Sequence, residues 1–409
     1  MKKFINANIY KSNAKEIIVA DGKFLEIGNN LRVCDNTIDL KNKLVLPPYV
    51  DPHLHLDYVY SLSEGLGAKS GTLFEAIALW PKFKKNLKAS EVRERAIKGI
   101  YDEVSQGVQY IRTHIDVTDP NFTALKVMLD LKEELKDKLD IQIIAFPQEG
   151  MYTYKGGRDL VEEALKMGAD VVGGIPHFEL AREFGEKSIH DIVNLSIKYN
   201  KLIDVHCDET DDPNSRFLEL LNALVLMEGI GEMTTASHTC SFGSADNSYA
   251  YRMFDLFKRS KMNFISCPTE NIYLQGRQDS YPKRRGLTRV KEFLEEGINI
   301  AFAQDSINDP WYPLGNGNMM NILDNGIHLA QIMSPNEIEN DFDLITYNGA
   351  KCMMLDQYGF KIGNPANFIV LDENNVFDAI RKRVNVIASI RNGEYLFKRE
   401  TKYDIKLDL

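Results

Sequence analysis

Two histidines one residue apart, His53 and His55, are the first sign of chemistry in this chain. On an extended strand, residues i and i+2 face the same side, so the pair can grip one ion from one face. A third imidazole and a carboxylate from other strands would complete a nitrogen and oxygen set, with a position left open for water. Such a set suits one divalent ion, Zn²⁺ or Fe²⁺, rather than Mg²⁺ or Ca²⁺. His206 and Asp305 are the natural third and fourth ligands. An ion held in this way acidifies water enough to make a nucleophile near neutral pH. Glu209, three residues past His206, can carry protons from the attacking water to a substrate ring and a leaving nitrogen. His238 could orient the nucleophile or stabilise a tetrahedral oxygen.

Each residue also has a bland reading. An HxH pair arises by chance, Asp305 could cap a helix, Glu209 could be a solvated loop charge, and a lone strand-end histidine is usually a hydrogen-bonded core residue. The joint pattern weighs against these readings. Of eight histidines in the chain, four (His53, His55, His206 and His238) fall where apolar strand-like runs end. His114 and His177 also fall near such ends and read as chiefly structural. His190 and His328 sit in helical stretches.

The elements that must position these groups are legible as a repeat. Eight apolar β-type runs occur at residues 44–50, 108–115, 141–146, 170–175, 202–206, 234–238, 262–266 and 298–303. Long amphipathic or charged stretches follow them, of which 89–103 and 122–136 read as helices. Strand–helix alternation repeated eight times, with runs apolar on both faces, predicts an α/β fold, a (β/α)₈ TIM-type barrel. A doubly wound sheet shares the alternation, but the count of eight and the lack of GxGxxG after the first run disfavour it. Residues 57–107 must hold an extra loop as well as a helix. Both chain ends carry short strand-like runs: 4–10, 16–20 and 24–27 at one end, and 368–371, 386–390 and 395–397 at the other. Asp21-Gly22 and Arg391-Asn392-Gly393 supply turns. The expected organisation is a small β-sandwich-like domain from residues 1–46 and 364–409, and a barrel from residues 47–363.

Composition narrows the partners. With 409 residues, 44% hydrophobic, and 20 Phe and 18 Tyr, a sizeable core is available. The formal charge is -10 and the one dense basic run, Lys283-Arg284-Arg285, is too short for a nucleic-acid groove. A free small molecule is therefore the expected substrate, with no nucleic-acid partner. Five scattered cysteines without CxxC argue against a disulfide framework and fit a reducing compartment. The N-terminal MKKFINANIYK has no apolar stretch behind it, and no run approaches 18 apolar residues. The expected location is the cytoplasm, with no membrane partner.

Longer strings carry a resemblance. Residues 48–57 (PYVDPHLHLD), 70–75 (SGTLFE), 145–150 (AFPQEG), 203–209 (IDVHCDE), 236–239 (ASHT), 274–277 (LQGR), 281–286 (YPKRRG) and 309–315 (DPWYPLG) resemble bacterial cytosine deaminases of the amidohydrolase superfamily. The resemblance runs from about residue 46 to 363. It implies that His53, His55, His206 and Asp305 hold one Fe²⁺ or Zn²⁺, that Glu209 is the proton shuttle, and that His238 assists the attacking hydroxide. It further implies that Gln148 hydrogen-bonds the ring amide of the substrate, that Trp311 walls the pocket, and that the protein is a homo-oligomer. The superfamily's binuclear branch has a carboxylated Lys or a Glu on the fourth strand. No such Lys ends the run 170–175, so a mononuclear site is expected.

Two departures bear on the substrate. Where the family usually has a second Asp after the metal Asp, this chain has Ser306, which is smaller and uncharged and opens room for a ring methyl. In the loop after the seventh run, Glu270 stands where the family usually has an apolar residue. Both residues are expected to line the substrate. The expected reaction is release of ammonia from a cyclic amidine, of cytosine type (cytosine or 5-methylcytosine). The alternative is creatinine deamination, which gives N-methylhydantoin. A cyclic amide hydrolase with two metals and a non-catalytic scaffold are the remaining readings. The other zinc deaminase type needs H-x-E with P-C-x-x-C, which is absent here.

Overall fold

The computed structural model describes residues 1–65, 67–400, 402 and 404. They form two compact units: Met1–Tyr49 with Ser105–Gly107 and Asp356–Leu409, and Val50–Val104 with Val108–Leu355.

The first unit is built from both chain ends. Its strands are β1 (Lys2–Ile5), β2 (Asn8–Ile9), β3 (Glu16–Ala20), β4 (Lys23–Gly28), β5 (Thr37–Asp39) and β6 (Leu44–Leu46). The apolar run at 4–10 is not one strand. It breaks at Asn6, which adopts a left-handed φ of 53°, and its two halves enter different sheets. After the barrel strands β7 to β14, described below, the C-terminal end adds β15 (Phe368–Leu371), β16 (Val386–Arg391) and β17 (Glu394–Lys398). One sheet has the order β4-β3-β1-β5 and the other β17-β16-β15-β6-β2. Side chains from both sheets, among them Phe4, Ile17, Phe24, Val45, Phe368 and Ile390, share one apolar cluster. Phe4 meets Phe368 edge-to-face at 5.0 Å.

The second unit is the barrel. Its strands are β7 (Tyr49–Leu54), β8 (Val108–Asp116), β9 (Asp140–Phe146), β10 (Val171–Gly174), β11 (Leu202–Cys207), β12 (Thr234–His238), β13 (Asn263–Ser266) and β14 (Ile300–Phe302). They lie in sequence order in one eight-stranded sheet. Every residue of β7, β8, β10, β12, β13 and β14 is buried. The outward faces lie under helices and the inward faces fill the barrel, so the strands read as apolar on both sides. The first predicted run, 44–50, is two strands here. Pro47 and Pro48 lack the N–H that a ladder needs, so the chain leaves β6 in the small sheet and restarts as β7 in the barrel.

A short parallel bridge between Leu54 and Asp305 joins the last strand to the first. The Asp305 N–H donates to the His53 carbonyl at 2.8 Å, and the His55 N–H donates to the Asp305 carbonyl at 3.2 Å. One turn earlier, Asp51 Oδ1 accepts the Gln304 N–H at 3.1 Å.

The long span after β7 holds two helices, Leu73–Lys84 and Ala89–Ser105. The first is not apparent in the sequence. Thr72 caps it by accepting the Glu75 N–H, and it buries Leu73, Ala76, Ile77 and Trp80, an i, i+3, i+4, i+7 stripe. Its C-terminal half is tied to the end of β8, because Trp80 Nε1 and Lys84 Nζ both donate to Asp116 Oδ2, at 2.7 and 2.9 Å. Among the described residues, no helix is long and apolar enough to cross a membrane.

The loop after β14 folds back so closely that a Cβ on Gly315 would lie 1.8 Å from the Ser306 carbonyl oxygen. Only glycine fits there. Gly315→Ala is expected to push the Ser306 loop away and to cost about 1–3 kcal/mol. The cost should appear as a lower urea midpoint; an unchanged midpoint would show that the loop yields freely.

Candidate active site and metal centre

The C-terminal ends of the barrel strands bring the polar residues of the sequence into one buried cluster. His53 and Asp305 are 0% and 2% exposed, and His55, His206, Glu209 and His238 are 5% or less. His55 Nε2 lies 3.1 Å from His206 Nε2. Asp305 Oδ1 lies 3.5 Å from His53 Nε2 and 3.4 Å from His55 Nε2. A tetrahedral ion with ligands at ~2.0–2.2 Å would hold its donor atoms roughly 3.4 Å apart. Three of the six donor pairs in this set therefore stand close to the spacing a single such ion needs.

The hydrogen bonds behind His53 set its tautomer. The Ser237 hydroxyl donates to Asp204 Oδ1 at 2.7 Å, so the Ser237 oxygen accepts the Nδ1 hydrogen of His53 at 2.9 Å. Nε2 faces Asp305 Oδ1 at 3.5 Å, and although burial opposes it, this carboxylate raises the pKa of His53. A partner on the far nitrogen is the usual means of orienting a ligating imidazole. Burial pushes His55 and His206 well below the usual imidazole range, which leaves them neutral as ligation requires. For Asp305, burial opposes the charged form. His53 and His238 nevertheless hold the carboxyl well below its usual range, so it stays ionised.

Glu209 and His238 stand beside this cluster. His238 Nδ1 is 3.6 Å from Glu209 Oε1 and 3.7 Å from Asp305 Oδ2. Asn271 Oδ1 accepts the Cys267 N–H at 3.2 Å, which turns its Nδ2 donor onto His238 Nδ1 at 3.1 Å. His238 therefore carries its hydrogen on Nε2, which has no partner among the described residues. Burial, eased by Asp305, takes its pKa down to about 3, so the ring is neutral. Burial and then the Asp305 charge push Glu209 well above the usual carboxylate range. A carboxyl tuned upward in this way can hold a proton near neutral pH and also give it up.

The backbone at these strand ends is strained. His238, Thr239 and Asp305 have φ of 66°, 45° and 67°, in the left-handed region that non-glycine residues avoid. Each costs on the order of 1 kcal/mol or more, and such strain collects at functional sites.

A small cavity of about 20 Å³ opens beside the cluster. The cavity walls include Gln148, Glu270, Ser306 and Trp311, together with His55, His206, Glu209, His238 and Asp305. A larger, open cleft beside Lys291, Asn299 and Asp341 contains none of these side chains. Burial, with Asp305 and Asp309 next, pushes Glu270 well above the carboxylate range, and burial takes Asp309 up to about 7. Ser306 works against both shifts, favouring the ionised form of each carboxyl.

Four participants are not evident from sequence spacing. His114 packs within the imidazole cluster, its ring 4.0 Å from that of His53 and 4.5 Å from that of His206. Tyr58 lines the cavity. Ser237 and Asn271 act through the two imidazoles they touch. A signal for Asp204 did exist, since it lies two residues before His206 on the same strand. His177 sits behind the cluster, with Nδ1 3.2 Å from the His206 carbonyl. The Cys267 sulfur lies within 4.8 Å of donor atoms of His53, His238 and Asp305, but burial pushes its thiol well up and keeps it protonated.

Asp204 is also the counter-charge of Arg112, at 3.1 Å, and both side chains are fully buried. Arg112 is further held by Gln142 and the Cys352 carbonyl, at 3.0 and 2.6 Å. Asp204→Ala would leave the guanidinium unpaired in the barrel interior, at a cost of about 3–5 kcal/mol. Urea unfolding of the metal-free protein should show that loss. A change within error would mean that Arg112 finds water or another partner.

Comparison with known proteins agrees with this geometry. The pattern of the amidohydrolase family matches residues 36–397. A 5-methylcytosine deaminase from Klebsiella pneumoniae, solved with 5-fluorocytosine, superposes with a TM-score of 0.96 at 46% identity, covering 99% of each chain. An N-isopropylammelide isopropyl amidohydrolase of Pseudomonas sp. (strain ADP) is 30% identical over 370 residues, 89% of this chain and 88% of that one. A pterin deaminase of Rhizobium rhizogenes is 24% identical over 388 residues, 93% of this chain and 87% of that one. With a matching sequence pattern over most of its length and a buried His/Asp cluster at the ends of its barrel strands, the chain belongs to the amidohydrolase family.

Proposed function

We propose that this protein is a metal-dependent hydrolytic deaminase of cytosine-type rings, acting on cytosine or 5-methylcytosine. One observation carries the reading. The Glu209 carboxyl, the imidazole-and-carboxylate cluster and the Gln148 amide meet at one small cavity. The likeness to a 5-methylcytosine deaminase over the whole chain supports it.

His53, His55, His206 and Asp305 would hold one divalent ion, Zn²⁺ or Fe²⁺. When bound, that ion supplies Lewis acidity that makes water a nucleophile near neutral pH. In the overall reaction, water adds to the amidine carbon and the carbon–nitrogen bond breaks. The water oxygen becomes the new ring carbonyl. One water proton ends on the adjacent ring nitrogen and the other on the departing amine, which leaves as ammonia. Glu209 carries both protons, and its raised pKa suits each transfer. His238, neutral and with a free Nε2–H, donates to the oxygen that gains charge during addition. Gln148 binds the ring amide, and Trp311 closes the wall. Ser306, beside Glu270, leaves room at the ring edge for a methyl group.

The two-metal reading has no support at the end of β10, where Gly173, Gly174 and Ile175 stand and no lysine does. Creatinine deamination has no observation of its own beyond the shared amidine. Five unpaired cysteines fit a reducing setting, so we place the enzyme in the cytoplasm, and the resemblance to cytosine deaminases implies a homo-oligomer.

Ammonia release by the metal-loaded enzyme from cytosine, 5-methylcytosine, isocytosine and creatinine tests the reading. A pyrimidine should turn over fastest, and turnover of creatinine alone would overturn it. Glu209→Gln should keep its metal and lose turnover by about 10²-fold or more; near-normal rates would remove Glu209 from the reaction. Ser306→Asp should shift the preference toward unmethylated cytosine by about tenfold or more, the usual worth of one methyl in a filled pocket. An unchanged ratio of the two rates would show that Ser306 does not face the ring edge.

A further inference from the structure

Tyr58 lies in the same cavity, and the reaction outlined above gives it no role. It follows the His53–His55 pair closely and is 2% exposed. Its ring stacks on His55 at 4.6 Å and 18°, and on Trp311 at 4.5 Å and 26°. Trp80 meets it edge-on at 4.7 Å. Its backbone N–H donates to the His55 carbonyl at 3.2 Å. Three aromatic contacts and a backbone bond leave the phenol little freedom.

Its hydroxyl donates to the side-chain carbonyl oxygen of Gln148. The Gln148 backbone N–H donates in turn to Asp116 Oδ1 at 3.3 Å, so the residue is held at both ends. A glutamine amide presents a donor and an acceptor of nearly equal shape, and it can turn over unless a neighbour tells the two apart. A phenol can accept from the N–H₂ as well as donate to the oxygen, and here it donates to the oxygen, which holds the amide in this orientation. Burial holds the Tyr58 phenol well above its usual range, so it remains a donor. Among the described residues, the Gln148 amide nitrogen has no hydrogen-bond partner, and Gln148 lines the cavity.

We propose that Tyr58 is a positioning residue for substrate selection. It takes up the Gln148 carbonyl oxygen and thereby aims the amide N–H₂ at the ring, selecting a carbonyl acceptor two bonds from the reacting carbon. The inference rests on the deaminase reading above, because cytosine and 5-methylcytosine carry C2=O at that position. The second lone pair of Gln148 Oε1 stays available for the ring N–H next to that carbonyl. A ring with an amino group in place of the carbonyl, such as 2,4-diaminopyrimidine, would bring donor against donor and leave both groups unpaired in a buried site.

The test is the ratio of kcat/KM for cytosine to that for 2,4-diaminopyrimidine, measured on the metal-loaded full chain, with the Kd of each ring from competition. Tyr58→Phe frees the amide to turn and should lower the ratio at least tenfold, chiefly through KM, with metal content and thermal midpoint kept. Gln148→Glu offers an acceptor oxygen whatever Tyr58 does and should reverse the preference toward 2,4-diaminopyrimidine. A merely structural Tyr58 would slow both substrates alike, and an unchanged ratio in Tyr58→Phe overturns the proposal. A wild-type ratio in Gln148→Glu overturns it too, and that arm stands even if Tyr58→Phe does not fold. A wild-type enzyme that deaminates no cytosine-type ring overturns the function and this inference together. An active wild type with unchanged ratios in the variants overturns only the role of Tyr58.

Discussion

The rung of hydrogen bonds that closes the barrel is also the rung that assembles the site. Asp305 N–H to His53 carbonyl and His55 N–H to Asp305 carbonyl tie the chain after β14 to the end of β7. The two residues so joined to Asp305 are the HxH pair itself. In a parallel sheet a slip of one residue turns every side chain to the other face. The closing register therefore fixes, in one stroke, which way His53, His55 and Asp305 point. His206 follows from the same register, because β11 is carried by its neighbours at its own place in the closed sheet.

A site assembled this way is costly to leave unsupported. Several imidazoles and carboxyls lie within a few ångströms of one another in a region closed to water, and three strand-end residues hold left-handed backbones. Each buried polar group needs a partner or must lose its charge. The structure shows both solutions. Asp204 pairs with Arg112 below the site and reaches His53 through Ser237, while Asn271 anchors His238. Glu209, Glu270 and Asp309 instead have carboxyls raised toward neutrality. His53 Nε2, His238 Nε2 and Asp305 Oδ2 have no hydrogen-bond partner among the described residues, and these three side chains each offer a donor atom to one tight group. Pre-organisation of this kind moves the reorganisation cost from the reaction to folding.

The division of labour within the barrel follows from the same geometry. Residues at the strand ends are fixed by the sheet, and the proposed chemistry rests on them. Residues one step further out, such as Gln148, Glu270, Ser306 and Trp311, sit on loops and on a short helix. Loops tolerate change without disturbing the barrel. Substrate preference can thus be altered at Ser306 and Glu270 while the imidazole cluster stays as it is.

The sequence by itself determined the period of the fold and the kind of chemistry. Eight apolar runs separated by helical stretches, and histidines at the ends of those runs, are local patterns, and local patterns follow directly from the residues. It did not determine where one run became two strands at Pro47 and Pro48, that residues 73–84 form a helix pinned to Asp116, or that the run at 4–10 divides between two sheets. Those outcomes depend on which strands are available to pair and which apolar stripe finds a surface. The roles of Tyr58, Ser237 and Asn271 were equally hidden. Each matters through a partner in another part of the chain: Tyr58 through Gln148, Ser237 through His53 and Asn271 through His238. A hydrogen bond between residues tens or hundreds of positions apart leaves no spacing to read in one sequence, and only the closed barrel decides that its two ends meet.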